Sequence, residues 1–181
     1  RAGVDVEWRT SNLGEPPVHI DSYHTQAEMQ GMYPDEPDQH DGILLAGLKE
    51  RIAESKKGKM LVVIHTYTSH GPTYNKNYPA QFETFKPVCN TVEMSKADPK
   101  ELMNAYDKTI VYTDYLVHTV IDLLRQFPDR RGCVMFVSDH GESLGEGGLY
   151  MHGVPMAMAP KEQTEVPFIV WTSDKDTAAV S

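Results

Sequence analysis

Cysteine is almost absent from this 181-residue sequence, which carries only Cys89 and Cys133. Two cysteines are too few for a disulfide framework and fall in no metal-ligand spacing, which argues against a stapled miniprotein and a zinc finger. Cys133 opens an apolar run and reads as a small buried hydrophobe. Cys89 sits among polar loop residues, either free or paired outside the chain. Basic residues are also scarce: 17 Lys plus Arg against 26 Asp plus Glu leave a net charge of -9, which argues against a nucleic-acid reader that depends on a basic face. Long apolar runs are missing too. A run such as MLVVI at residues 60–64 is far short of the roughly 20 residues that cross a bilayer, and no basic-then-apolar leader opens the chain. These residues are therefore expected to be soluble. Arg1 is not an initiator Met and the chain starts inside what reads as a strand, so the sequence is expected to be cut from something longer.

What is there suffices for one core: 40% of the residues are hydrophobic, within the usual size of a single domain. GVDVEW (3–8) alternates in the manner of a strand, and residues 10–38, rich in Pro, Gly and acids, read as irregular loop. Asp41 is placed to cap a helix whose apolar positions Ile43, Leu44, Leu45, Leu48 and Ile52 recur at three- and four-residue spacing until the Lys56-Lys57-Gly58 stop. MLVVIH (60–65) is a short continuous apolar run, as in a parallel strand covered on both faces. After a second loop (66–97), Asp98-Pro99-Lys100-Glu101 combines a capping Asp, a first-turn Pro and a Glu three residues on. The helix it starts has an apolar stripe of Leu102, Tyr106, Ile110, Val117, Val120, Ile121 and Leu124, and Pro128 ends it. CVMFV (133–137) is the next buried strand. A third loop (138–165) precedes VPFIVW (166–171), whose Pro167 suits an edge or a strand start. Strands alternating with helices predict an α/β fold, a mostly parallel sheet flanked by helices, with ligands gathered beyond the carboxyl ends of strands. No repeat or linker divides the residues, so 1–181 is expected to be part of a single soluble domain.

Histidines cluster at those strand ends. Ser138-Asp139-His140-Gly141-Glu142-Ser143 follows an apolar strand, and a carboxylate beside an imidazole suits zinc if the backbone turns so that both reach one ion, which Gly141 makes easier. Taken alone, the Asp-His-Gly triplet is better read as a strand-end Asp capping a turn. His70, beside Gly71 and Pro72, lies in a tight turn able to present its ring to a pocket, whereas His65 at the strand end reads as structural. His152 sits in a loop rich in Gly and Met, and by itself reads as a surface histidine. His19, His24, His40 and His118 have no such company and read as exposed or locally bonded.

Together the three loops resemble the phosphoethanolamine transferases that modify lipid A, including the mobile colistin-resistance enzymes, within the alkaline phosphatase and sulfatase superfamily. The resemblance runs in family order through SHGPTYNKNYP (69–79), FKPVC (85–89), NAYDKTIVYTDY (104–115), SDHGESLGEGGLYMHG (138–153) and APKEQTEVPFIVW (159–171). It implies an alkaline phosphatase/sulfatase-like fold, incomplete here at both ends. By the same resemblance Asp139 and His140 are ligands of the principal Zn2+. His70 and His152 line the phosphoryl and ethanolamine pocket, with room for a second zinc, and Glu142 supports the ligands from behind.

The family's Glu ligand and Thr nucleophile lie upstream of the matched region, and no residue of this chain fills those roles. Two departures stand out: Ala97 occupies a position where the family often has Cys, and Asn12-Leu13-Gly14-Glu15-Pro16-Pro17 replaces its Cys-rich segment. The implied reaction carries phosphoethanolamine from phosphatidylethanolamine to the Thr, then to a lipid A or surface-glycan acceptor. The parent is implied to be membrane-anchored, with this domain on the periplasmic face of a bacterial inner membrane, and the fragment alone inactive. The alternatives are a sulfatase or phosphodiesterase that uses water as acceptor, and a non-catalytic metal-binding remnant.

Overall fold

The computed structural model describes residues 3–12 and 20–173. His19, most of the 12–17 segment and the carboxyl terminus lie outside the described residues. The chain forms two compact units, Arg1–Thr68 and Ser69–Ser181.

In the first unit, β1 (Val4–Thr10) is the central strand of a three-stranded parallel sheet. It pairs with β2 (Ser22–Thr25) on one edge and with β3 (Lys59–His65) on the other, in register from Val4↔Lys59 to Thr10↔His65. The alternation of β1 holds, yet its polar face is also covered: Asp5, Glu7 and Arg9 are buried. They are tolerated because each charge is paired. Arg9 Nε donates to Glu7 at 2.6 Å and its Nη1 to the carbonyls of Leu44 and Ala46 at 2.8 and 2.7 Å. Arg51 donates to Glu7 at 2.7 Å and to Asp5 at 2.8 Å.

The stretch expected to be one long irregular loop contains β2 and α1 (Gln26–Met32). Thr25 and Glu28 close a reciprocal capping box at its start, a T-x-x-E signal masked by the Pro- and acid-rich surroundings. The helix expected from Asp41 is split. A 3-10 turn, Asp41–Leu45, ends at Ala46, and α2 (Leu48–Glu54) begins after Gly47, whose φ of +64° leaves the helical region. Asp41 does not cap its own helix, because its carboxylate accepts instead from the amides of Tyr67 and Thr68, at 2.9 and 2.8 Å, and from the Thr68 hydroxyl. It thereby ties down the chain leaving β3. Ile43 and Leu44 are fully buried with Met29 and Ala46, each contributing about 1.5–3 kcal/mol of burial.

The second unit is organised on α3 (Pro99–Arg125), which starts as the sequence predicts: Asp98 accepts from the amides of Lys100 and Glu101 at 2.9 and 3.1 Å. Its buried face is Leu102, Ala105, Lys108, Thr109, Tyr112 and Leu116. That is rotated from the expected stripe, and Ile110 is exposed. Beneath α3 lie Tyr74, Cys89 and Met94.

β4 (Cys133–Val137) pairs antiparallel with β7 (Phe168–Thr172), which starts just after Pro167. Between them a two-stranded hairpin joins β5 (Ser143–Leu144) to β6 (Tyr150–Met151), and α4 (Lys161–Thr164) follows. The expectation that β3 and β4 are covered on both faces is not met: Leu61, Met135 and Val137 are all more than half exposed. An apolar run records a strand's affinity for burial, whereas burial itself needs a neighbour on each face.

The cysteines also exchange places. Cys133 is exposed at the start of β4, and Cys89 is buried because its loop folds under α3. Among the described residues no helix is long and apolar enough to cross a membrane.

Candidate functional site

Three loops of the second unit bring together the histidines singled out above. The His140 and His152 rings lie with centroids 3.7 Å apart, and His70 lies 5.0 Å from His152 and 6.3 Å from His140. Residues leaving β4 provide His140, the turn after Ser69 provides His70, and the segment after β6 provides His152. Met151, at φ +62°, and Gly153, at φ +105°, bend the chain on either side of His152.

Glu142 lies at the centre and is almost wholly buried. One carboxylate oxygen accepts from Nδ1 of His152, and the other accepts from the Tyr74 hydroxyl and, at 3.3 Å, from the amide of Gly71. A single buried charge thus fastens the loops of His70 and His152 to the strand-end turn that carries His140. Burial, reinforced by this carboxylate, holds the Tyr74 phenol protonated well above the usual tyrosine range. Tyr106, stacked edge-on against Tyr74 at 5.5 Å, is raised by burial and then by Glu142.

Backbone carbonyls set the other two rings. Nδ1 of His70 faces the Gly71 carbonyl at 2.7 Å and Nδ1 of His140 the Gly141 carbonyl at 2.9 Å. A carbonyl only accepts, so both rings carry the proton on Nδ1 and the lone pair on Nε2 when neutral. Nε2 of His140 is 3.8 Å from an Asp139 carboxylate oxygen, and the Asp139 side chain is 81% exposed. Two zinc donors in a tetrahedral shell are separated by about 3.4 Å, so this pair suits a shared ion with a small adjustment. His140, Glu142 and His152 also offer donor atoms within 4.8 Å of one another. Both Glu142 oxygens are already engaged, which fits it for holding His152 rather than for ligating.

Gly141 has a role other than the expected one. A Cβ there would collide with the backbone carbonyl of Glu162, and its amide donates to Gln163 O at 3.0 Å. The residue is small so that the backbone of α4 can close against the turn.

The other histidines among the described residues have partners of their own. His65 is held by Thr10 at 3.1 Å and Asn12 at 3.5 Å, with Trp8 edge-on. His24 bonds to Ser22, His40 pairs with Asp38 and His118 with Asp122 one helical turn on. Tyr74 is the participant that sequence reasoning missed. It lies inside the SHGPTYN motif, but nothing local to it points to a carboxylate 68 residues away.

A parallel sheet bearing helices, and a histidine and carboxylate cluster gathered where strands run out, define an α/β protein of the sulfatase-like class. The sulfatase family model matches residues 8–181, and the chain belongs to that family. Within the family, the chain is similar to the phosphoethanolamine transferase EptA of Helicobacter pylori, with 38% identity over 176 residues, covering 96% of this chain and 34% of that protein. Among solved structures it matches the C-terminal periplasmic domain of phosphoethanolamine transferase EptC from Campylobacter jejuni, with TM-score 0.84, 39% identity and coverage of 96% of this chain and 54% of that one. It also matches the integral membrane lipooligosaccharide phosphoethanolamine transferase A of Neisseria meningitidis, with TM-score 0.85, 35% identity and coverage of 98% and 33%. The chain spans about a third of the length of the curated relatives it matches.

Proposed function

We propose that these residues form part of one catalytic domain of a zinc-dependent phosphoethanolamine transferase. It takes the group from phosphatidylethanolamine and passes it to lipid A or a surface glycan, by way of a threonine that is not among these residues. The parent protein is membrane-anchored and holds this domain on the periplasmic face of a bacterial inner membrane. The observation that carries the reading is the meeting of His70, His140 and His152 around the buried Glu142, in a chain 38% identical to a phosphoethanolamine transferase.

Asp139 and His140 would hold the zinc. When bound, zinc supplies Lewis acidity toward a phosphoryl oxygen and an attacking hydroxyl. His70 and His152 act on the substrate: each offers an imidazole that, protonated, donates to phosphoryl oxygens or protonates the departing alkoxide. Glu142 keeps the His152 ring in place and stabilises its cationic form through the Nδ1 contact.

The test is made in the longer protein, with transfer to lipid A and zinc content measured together. His140→Ala is expected to lose both zinc and activity. His152→Ala is expected to keep the principal zinc and lose about 10²- to 10³-fold in turnover, the usual cost of one transition-state donor. Equal metal loss in the two variants would refute the division of roles. Free phosphoethanolamine released to water without acceptor product would favour a hydrolase. Turnover by the isolated 181 residues, abolished by His140→Ala, would place the nucleophile within them.

A further inference from the structure

We propose that Tyr74 is a positioning residue for His152, acting through Glu142. The carboxylate is fixed by three donors from two segments of the chain: the Tyr74 hydroxyl, the Gly71 amide at 3.3 Å, and Nδ1 of His152. Two of the three share one oxygen. Without the phenol, that oxygen keeps only the longer Gly71 contact, and a buried carboxylate so under-bonded turns toward whatever donor remains. The second oxygen then leaves the line on which it accepts the hydrogen bond from Nδ1 of His152. Nδ1 of His152 faces the Glu142 carboxylate where those of His70 and His140 face backbone carbonyls, so the orientation of its ring follows that of the Glu142 side chain.

Tyr74 is well suited to this hold. It is 1% exposed, sits in the core with Leu102 and Ala105, and carries the Tyr106 ring edge-on at 5.5 Å. The rigid face of α3 is thereby linked, through one hydroxyl and one carboxylate, to a histidine on a loop bent by residues of positive φ. Gly71 closes the arrangement from the other side: a Cβ there would meet the Tyr74 ring and hydroxyl, so the turn bearing His70 is packed directly on the phenol.

The effect on turnover rests on the transferase reading above, whereas the effect on the His152 ring does not. The test therefore starts with the 181-residue chain, labelled with nitrogen-15 at histidine and examined by long-range proton–nitrogen correlation. The unaltered chain is expected to show a slowly exchanging Tyr74 hydroxyl proton shifted downfield by the carboxylate, and His152 as the Nδ1–H tautomer. Tyr74→Phe is expected to turn His152 into a mixture of tautomers, while His70 and His140 keep theirs. Tyr106→Phe, which removes a phenol from the same stack, is expected to leave all three unchanged.

An unaltered His152 tautomer in Tyr74→Phe overturns the proposal. If that variant does not fold, the hydroxyl resonance of the unaltered chain decides, and its absence overturns the proposal equally. In the longer enzyme, Tyr74→Phe is expected to lower kcat about tenfold, with KM for the lipid donor and zinc content unchanged. A shifted tautomer with kcat intact upholds the positioning role and removes His152 from the transfer step instead.

Discussion

Lys108 is the most unusual charge in the described residues, and replacing it with Met should stabilise the protein. Its side chain is fully buried on α3 and its Nζ makes no hydrogen bond to another protein group. The nearest compensation is the face of the Tyr78 ring, 5.5 Å from Nζ. Tyr78 stays neutral, because burial pushes its phenol up to about 12. A buried charged donor left unbonded costs about 1–3 kcal/mol or more, and a cation over an aromatic ring returns about 0.5–2 kcal/mol. Met keeps most of the aliphatic stem and its packing, so Lys108→Met should gain about 1–2 kcal/mol. With a urea slope of about 2 kcal/mol/M this moves the midpoint up by about 0.5–1 M.

The pH dependence supplies a second readout of the same cause. Burial lowers the Lys108 pKa, with Glu83 opposing and Lys86 adding to the shift. Between that lowered value and the ordinary lysine value of about 10.4 the unfolded chain binds more protons than the folded one, so wild-type stability rises with pH there. The Met variant lacks this contribution, and all other titrating groups are common to both proteins. Its advantage should therefore be largest at neutral pH and shrink as pH rises toward about 10.4. Urea unfolding followed by circular dichroism at a series of pH values measures it. A variant less stable than wild type at pH 7, or an advantage that does not change with pH, would refute the reasoning.

Two other outcomes are expected. Glu7→Gln leaves the buried Arg9 and the partly buried Arg51 without their shared carboxylate and should cost about 3–5 kcal/mol, roughly 10 °C in melting temperature; an unchanged melting curve would contradict the network's role. A maleimide should label exposed Cys133 in the native protein and reach Cys89 only on unfolding, since Cys89 is buried and burial raises its thiol pKa; equal labelling rates would show that the loop before α3 does not fold under that helix.

Local signals in the sequence were sufficient for the features that local forces control. The start of α3 follows from Asp98, Pro99 and Glu101, because a cap needs only groups two or three residues apart. Strands β3, β4 and β7 were visible as apolar runs, and His70 and His140 stood out because they lie in the loops that follow the first two. Membership of the sulfatase family was legible from motifs spread across the chain. Tertiary structure alone decided what depends on distant partners. Asp41 caps the chain after β3 rather than its own helix, Cys89 is buried and Cys133 is not, and Lys108 lies inside where Ile110 lies outside. Composition sets how strongly a residue prefers burial, but the element that covers it comes from elsewhere in the chain. The same holds at the candidate site: His70, Asp139, His140 and His152 could be named from their loops. That Glu142 would be the buried charge joining two of those loops, with Tyr74 behind it, required contacts across 68 and 71 residues of sequence.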